Sequence, residues 1–378
     1  MRTLFKLPSI RNAKNFKGKR VLLLLDLNVP ISRGRILDDT RLKMALPTLE
    51  FLKKRGARTI VMSHLGNDGK ESLKIVAQAL NKFIPVGFVP EILGKKVEAM
   101  IDTLGNGGIL MLENIRRNNG EVSNSSSFTT ALAQLGDIYV NDAFSVSHRK
   151  HASIVSLPKF LPSFAGLKFE EEVGELSKVF IPKRPFLFIL GGAKLETKLP
   201  LIKKYIKIAD TVYVGGALMN PFFNALGYEV GKSLKENAGE DLKKIARHNN
   251  LVLPTDVLVN KKGVRKLGDV KKGDIVRDIG PESLAALLSY IKESKEILFN
   301  GPLGEYELGF DETTKEVLKA MGKSKARTVV GGGDTLAIVS RLKLGDKFSF
   351  VSTAGGAMIE FLSEGTLPGI EALKKKNP

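Results

Sequence analysis

The chain has 378 residues, a formal net charge of +19, 43% hydrophobic residues and no cysteine. That length supplies enough apolar residues for two full cores, and the lack of cysteine excludes disulfides, thiolate metal sites and cysteine nucleophiles while suiting a reducing compartment. No run approaches the roughly 18 apolar residues of a membrane span, and the charged, proline-bearing start Met1–Ile10 lacks a long apolar core, so a cytoplasmic protein with no membrane partner is expected.

Short apolar runs follow one another along the first half: residues 21–27 (VLLLLDL), 59–65 (TIVMSHL), 109–114 (ILMLEN) and 138–143 (IYVNDA). Consecutive apolar residues of this kind fit strands buried on both faces of a parallel sheet. Helical patterns lie between them. Leu42, Ala45, Leu49 and Leu52 fall at helix spacing, with Pro47 as a kink or late start. Leu73, Val76, Ala77, Leu80 and Phe83 predict a second helix within 70–83. Residues 169–180 (FEEEVGELSKVF) read as an exposed connecting helix, and Pro182 and Pro185 then open a new strand. In the second half the apolar runs are 186–192, 211–216, 296–301, 327–333 and 348–353. Strands alternating with helices predict an α/β protein: two doubly wound parallel-sheet, Rossmann-like lobes joined by a helical hinge. The expected division is 1–168 for the first lobe, 169–184 for the connecting hinge and 185–363 for the second lobe. The run Lys374–Lys376 reads as a solvated tail.

Polar or glycine-rich residues stand where the apolar runs end. Asp26 and Asn28 follow the first, His64 and Gly66 the second, Glu113 and Asn114 the third, and Asn141 and Asp142 the fourth. Gly191–Gly192, Gly215–Gly216, Asn300–Gly301 and Gly331–Asp334 do the same in the second half. Ligands of open α/β sheets bind outside the carboxyl ends of the strands. Ordinary turn chemistry also favours Gly, Asn and Asp, but the regularity at one strand end points to sites.

The two halves differ in chemistry. There is no GxxxxGK[ST], so no P-loop is present. Gly331–Gly333 precede Asp334, Thr335 and a helical pattern, and Ser352–Ala357 repeats the design. Glycines let a backbone approach phosphate, a helix N-terminus offers amides and positive dipole, and Asp334 is suited to a magnesium ion carried by phosphates. The first half instead collects His64, His148, His151, Arg41, Arg116 and Arg149 beside strand-end loops. Guanidinium forks bind phosphate and carboxylate bidentately. One lobe thus reads as a small-anion site and the other as a nucleotide site. The +19 charge is read mainly as a solvated basic surface, partly as service to phosphorylated ligands, and nucleic acid is not the expected partner.

The ordered blocks DLNVP (Asp26–Pro30), DDTR (Asp38–Arg41), SHLG (Ser63–Gly66), MLENIR (Met111–Arg116), NDAF (Asn141–Phe144), HRKHAS (His148–Ser153), GGAKLETK (Gly191–Lys198), LPTDVLV (Leu253–Val259), DIGPES (Asp278–Ser283), NGPLG (Asn300–Gly304), GGGDT (Gly331–Thr335) and LPGIEAL (Leu367–Leu373) resemble phosphoglycerate kinases from end to end. The resemblance implies reversible phosphoryl transfer from 1,3-bisphosphoglycerate to ADP, giving 3-phosphoglycerate and ATP, by a monomer. It implies that the segment 364–378 packs back on the first lobe. It assigns substrate binding to Asp26, Leu27, Asn28, Arg41, His64, Leu65, Gly66, Asn67, Arg116 and Arg149. It assigns transfer to Arg41, Lys194 and Lys198, and nucleotide binding to Lys198, Glu307, Gly332, Gly333, Asp334 and Thr335. The cofactor it implies is Mg2+ with ATP or ADP, linked to Asp334.

Two positions depart from the family pattern: Leu24 stands two residues before Asp26 where arginine is usual, and Asn67 follows SHLG where arginine is usual. Arg117 and Lys150 are candidate replacements; Arg20 is a poor one, four strand residues away. Smaller departures are Ala354, Gly216–Ala217 and Glu305–Tyr306. A catalytically altered relative that binds nucleotide or nucleic acid, and a kinase for another small carboxylate, follow as alternatives.

Overall fold

The computed structural model describes residues 6–235, 239–260 and 263–374. Contacts divide the chain into two compact units, Met1–Gly174 with Glu364–Pro378, and Glu175–Ser363.

In the first unit the strands in chain order are β1 (Arg20–Leu25), the short pair β2 (Ile31–Ser32) and β3 (Arg35–Ile36), then β4 (Arg58–Met62), β5 (Gly87–Phe88), β6 (Ile109–Met111), β7 (Ile138–Asp142) and β8 (Ser163–Ala165). β2 and β3 form a small antiparallel hairpin. The rest form one parallel sheet in the order β5-β6-β4-β1-β7-β8. β1 sits centrally, pairing Leu24 with Met62 on one side and Asn141 on the other. The sequence RVLLLL follows from that position, because both faces of a central parallel strand are covered. Val21, Leu23 and Leu25 join the core formed with Leu42, Leu49, Leu52, Val61 and Met111.

The helix Thr40–Lys54 begins well before Pro47, so the proline does not start it; Pro47 lies on the exposed side, while Leu42, Ala45, Leu49 and Leu52 face the core. The expected helix within 70–83 is shorter, Lys74–Leu80. Its entry is fixed by Glu113, whose carboxylate accepts from the Leu73 amide (2.8 Å) and the Ser72 hydroxyl (2.7 Å). Phe83 lies beyond it and is exposed. The helix Leu167–Ser177 and a short turn Lys178–Phe180 occupy the connecting region. This helix is amphipathic rather than exposed throughout, with Phe169, Val173 and Leu176 buried. Its first turn is held by the Asp142 carboxylate, which accepts from the Phe169 amide at 2.8 Å. The helix Pro368–Lys374 belongs to the first unit, where the Gly369 amide donates to the Ser147 carbonyl and Ile370 and Leu373 are buried. Lys374 pairs with Glu371, whereas Lys375 and Lys376 of the expected solvated tail lie outside the described residues, as do Met1–Phe5 at the start.

The second unit carries β9 (Phe186–Leu190), β10 (Thr211–Val214), β11 (Leu251–Val252), β12 (Asp256–Val259), β13 (Gly263–Lys266), β14 (Val276–Ile279), β15 (Glu296–Asn300), β16 (Arg327–Gly331) and β17 (Phe350–Ser352). Its main parallel sheet has the order β11-β10-β9-β15-β16-β17. β12, β13 and β14 make a separate antiparallel sheet in the order β13-β12-β14. In each main sheet the first strand lies in the middle and the chain winds outward in both directions. Strand order therefore reverses between β1 and β7 in one unit and between β9 and β15 in the other. Such reversals open a crevice at the carboxyl ends of the strands.

Candidate active site

In the first unit the reversal brings the loop after β1 to the loop after β7. The Asp26 carboxylate accepts from the Arg41 guanidinium and from the Ser145 hydroxyl through one oxygen, and from the Asn28 amide (3.1 Å) through the other. Burial opposes its ionisation, but Arg41, Ser145 and the Asn28 amide hold its pKa below the usual carboxylate value. Asp26 is thereby fixed as the anchor that aims Arg41.

The loops after β4 and β6 are laced to the same place. Ser63 donates to the Leu25 carbonyl and accepts from the Leu27 amide, so β1 and β4 end in register. The Asn28 side chain accepts from the Gly66 amide (3.0 Å), and Arg116 donates to the Gly66 carbonyl (2.9 Å). Asn114 supports both by donating to the carbonyls of Leu65 and Glu71. Gly69 makes this closeness possible. It has φ +73°, and a Cβ there would stand 2.3 Å from the Arg116 carbonyl oxygen.

His64 is 5% exposed. Burial, then Arg116 and Arg41, push it down to about 4 against the pull of Asp26, so it is a neutral donor and acceptor at pH 7. His151 is pushed to about 4 by burial, Arg116, Arg149 and His148. Arg116 is itself lowered by burial and by Arg149. Crowding of this kind marks a site short of negative charge, the electrostatic signature of an anion pocket. The structure thus brings Asp26, Asn28, Arg41, His64, Gly66 and Arg116 into one network, with Leu27 and Leu65 buried beneath it and Arg149 coupled to Arg116 through space.

The departures have physical readings. Leu24 is 2% exposed within β1. Asn67 is exposed on the loop. Arg117 is committed to Glu113 (3.2 Å) and to the Lys70 carbonyl (2.9 Å). Arg20 sits at the other end of β1, paired with Asp137 at 2.7 Å.

In the second unit the backbone itself forms the crevice. The Gly191 amide donates to the Asn300 carbonyl and the Gly192 amide to the Pro302 carbonyl. A Cβ on Gly191 would lie 2.1 Å from the Pro302 oxygen, so only glycine permits this crossing. The Lys198 ammonium donates to the Gly191 carbonyl within the nest. Burial lowers its pKa to about 8, partly opposed by Asp334. Lys194 is exposed at the N-cap of the helix Leu195–Tyr205. Gly332 caps the helix Gly333–Arg341 with φ +98°, and Thr335 accepts from the Gly301 amide at 3.0 Å. The first-turn amides at Gly333, Asp334 and Thr335 have no partner within the helix by its geometry.

A cavity of about 520 Å³ adjoins this turn, lined by Gly192, Gly216, Ala217, Asn220, Lys232, Arg277, Glu307 and Asp334 among others. The Asn220 amide oxygen is buried without a hydrogen-bond partner. Among the described residues no three acidic, histidine or cysteine side chains cluster as a protein-only metal cage. One exposed carboxylate beside a phosphate-type helix terminus fits a magnesium ion that takes its other oxygens from a nucleotide and water; Asp334 is that carboxylate.

Several contributors escaped sequence reading. Ser145 follows NDAF but nothing in the spacing shows that it reaches Asp26. Tyr306, marked in the sequence only as a departure, donates to Asp334 (3.1 Å), and Arg277, which carried no sequence signal, pairs with Glu305 on the cavity wall. Glu121, buried near Arg116 and His151, carried no sequence signal.

A family profile described as phosphoglycerate kinase matches residues 10–365. Among curated proteins, the phosphoglycerate kinase of Caulobacter vibrioides is 40% identical over 94% of this chain and 97% of its own length. That of Leptospira biflexa is 40% identical over 98% of this chain and 99% of its own. The solved structure of phosphoglycerate kinase from Coxiella burnetii superposes with a TM-score of 0.88 at 35% identity, covering 99% of this chain and 100% of that one. The enzyme from Pyrococcus horikoshii OT3 gives 0.86 at 27% identity, covering 97% and 98%.

Proposed function

The chain belongs to the phosphoglycerate kinase family, and from that premise we propose how its residues divide the phosphotransfer between 3-phosphoglycerate and ATP. The reaction moves a phosphoryl group between a carboxylate and a nucleotide. The first unit takes 3-phosphoglycerate or its acyl phosphate, and the second takes ATP or ADP. The observation that carries this reading is the contrast between the two strand-end crevices. One is a crowd of cations around Asp26, and the other is a glycine-lined cavity beside a helix N-terminus.

In the first unit, Arg116 and Arg149 bind the glycerate phosphate and carboxylate with charge-assisted hydrogen bonds. His64 and Asn28 complete the orientation, and Leu27, Leu65 and Gly66 shape the floor with Asn67 at its rim. Arg41, held by Asp26, neutralises charge on the phosphoryl oxygens in flight. In the second unit, Gly332, Gly333 and Thr335 present backbone to the phosphates, Glu307 takes the ribose, and Lys194 and Lys198 reach the phosphate chain. Asp334 would hold the nucleotide-borne magnesium ion, whose chemistry is to screen phosphate charge. Because the acceptor carboxylate or phosphate is already ionised, no general base is required. The work is alignment and electrostatic stabilisation, and the two ligands must be brought together with water excluded, since an acyl phosphate hydrolyses.

Both sites are built within one chain, which supports action as a monomer. A cysteine-free chain supports a reducing, cytoplasmic setting, and among the described residues no helix is long and apolar enough to cross a membrane.

The test is a coupled assay with 3-phosphoglycerate and ATP on the Arg41→Ala variant. Removing a preorganised charge from the transfer path should lower kcat by about a hundredfold or more, with ADP affinity unchanged. Turnover within about twofold of the unaltered enzyme, well under the loss expected for a transfer-path charge, would place the transfer site elsewhere.

A further inference from the structure

Beneath the basic patch of the first unit lies a carboxylate that the phosphotransfer reading does not use. Glu121 is 1% exposed, in the short helix Asn119–Val122 that follows the turn carrying Arg116. One of its oxygens accepts from the Ser153 hydroxyl at 2.6 Å, and the other accepts from the Ser153 amide at 3.0 Å. The His151 ring nitrogen Nδ1 stands 3.8 Å away. Glu121 thus ties the segment bearing Arg116 to the loop bearing His148, Arg149 and His151.

The charge balance around it is uneven. Arg116 is destabilised as a cation by burial and Arg149 but favoured by Glu121. His151 is disfavoured as a cation by burial, Arg116, Arg149 and His148. Like charges within one low-dielectric site repel strongly and disperse unless a counter-charge holds them. A carboxylate in apolar surroundings is itself costly, and its pKa is raised by burial; Ser153 and Arg116 oppose that rise. Tyr139 faces the same carboxylate from β7, with its hydroxyl buried and without a partner.

We propose that Glu121 is a positioning residue for 3-phosphoglycerate: the fixed counter-charge that holds Arg116 and the His148–His151 loop converged on the substrate anion. This rests on the assignment of the first unit to the glycerate ligand. Without the negative charge the two cationic segments would spread, and the anion would meet them one at a time. The nucleotide cavity, in the other unit, would not register the change.

Calorimetric titration with 3-phosphoglycerate and, separately, with ADP tests this on the full chain carrying Glu121→Gln or Glu121→Asp. Glu121→Gln keeps the shape and removes the charge; it should weaken 3-phosphoglycerate binding about tenfold or more and raise its KM with little change in kcat. ADP affinity should stay as in the unaltered protein, and an unchanged thermal unfolding profile certifies folding of both units. Glu121→Asp keeps the charge and should retain most of the affinity. Unchanged 3-phosphoglycerate affinity in Glu121→Gln overturns the proposal, and so does equal weakening in the two variants, since a shape requirement alone would produce it. Should Glu121→Gln not fold, Glu121→Asp with near-normal affinity upholds the counter-charge and Glu121→Asp with lost affinity overturns it. An Arg116→Ala control separates the underlying assignment: if that variant binds 3-phosphoglycerate normally, the first-unit site itself is misplaced.

Discussion

Lys198 shows how a single side chain is tuned by the backbone around it. It sits 8% exposed in a glycine nest and donates to the Gly191 carbonyl. Burial sets its pKa to about 8 in the ligand-free protein, with Asp334 opposing. In the role proposed for it the charged form is the useful one, since it would meet phosphate oxygens, and that form is lost as pH rises through about 8. kcat/KM for ATP, which reports groups of the free enzyme, should therefore fall with a midpoint of about 8. In Lys198→Arg, whose guanidinium stays charged, that alkaline fall should vanish although the absolute rate drops. An unchanged alkaline limb in the variant would assign the titration to another group. Residues of this kind were legible in part. His64, Arg116 and Asp334 stand beside strand ends, where chemistry is expected, whereas Arg41 and Lys198, in the helices Thr40–Lys54 and Leu195–Tyr205, were assigned through the family resemblance. Ser145 and Glu121 were not legible, since their partners Asp26 and Ser153 are 119 and 32 residues away in sequence, and only the folded sheet brings them together.

At the scale of elements, the loop 63–73 after β4 does the positioning. Its carbonyl at Gly66 accepts from Arg116, its side chain at Ser63 registers β1, and Asn114 pins both its flanks. Gly69 lets the loop pass against the Arg116 backbone in a left-handed conformation. Gly69→Ala adds a Cβ where the Arg116 carbonyl already lies, on top of a left-handed penalty of about 1–2 kcal/mol. It should raise the KM for 3-phosphoglycerate by about tenfold while leaving the KM for ATP alone; equal KM values would show that the loop does not position Arg116. Strands β1, β4, β6, β7, β9, β10, β15, β16 and β17 were readable because buried parallel strands leave unbroken apolar runs, whereas the two- and three-residue edge strands β5, β8 and β11 left none. Helix extent was less so. The pattern 70–83 shrank to Lys74–Leu80 because Glu113, from the loop after β6, fixes its start, and Phe83 proved exposed despite its helical spacing. The connecting helix carries a buried apolar stripe that its many glutamates obscured.

At the scale of the whole molecule, the two units repeat one topological idea with opposite chemistry. Each places its first strand centrally and opens a crevice where strand order reverses. One crevice is filled with cationic side chains and the other is walled by backbone. The basic crowding in the first unit accounts for a small part of the +19 charge; most of the remaining lysines and arginines are spread over the surface. The proposed division of labour was legible as chemistry, in the histidines and arginines up to His151 and the glycine turns from Gly191 onward. The antiparallel sheet of β12, β13 and β14 was not, since its short strands share no long apolar run.

The most direct test of this division is a pair of titrations, 3-phosphoglycerate and ADP, on Arg116→Ala and Asp334→Ala. Arg116→Ala should weaken 3-phosphoglycerate binding by about tenfold or more and leave ADP in the presence of magnesium untouched. Asp334→Ala should do the reverse. Comparable weakening of both ligands by either variant would contradict the assignment of one ligand to each unit.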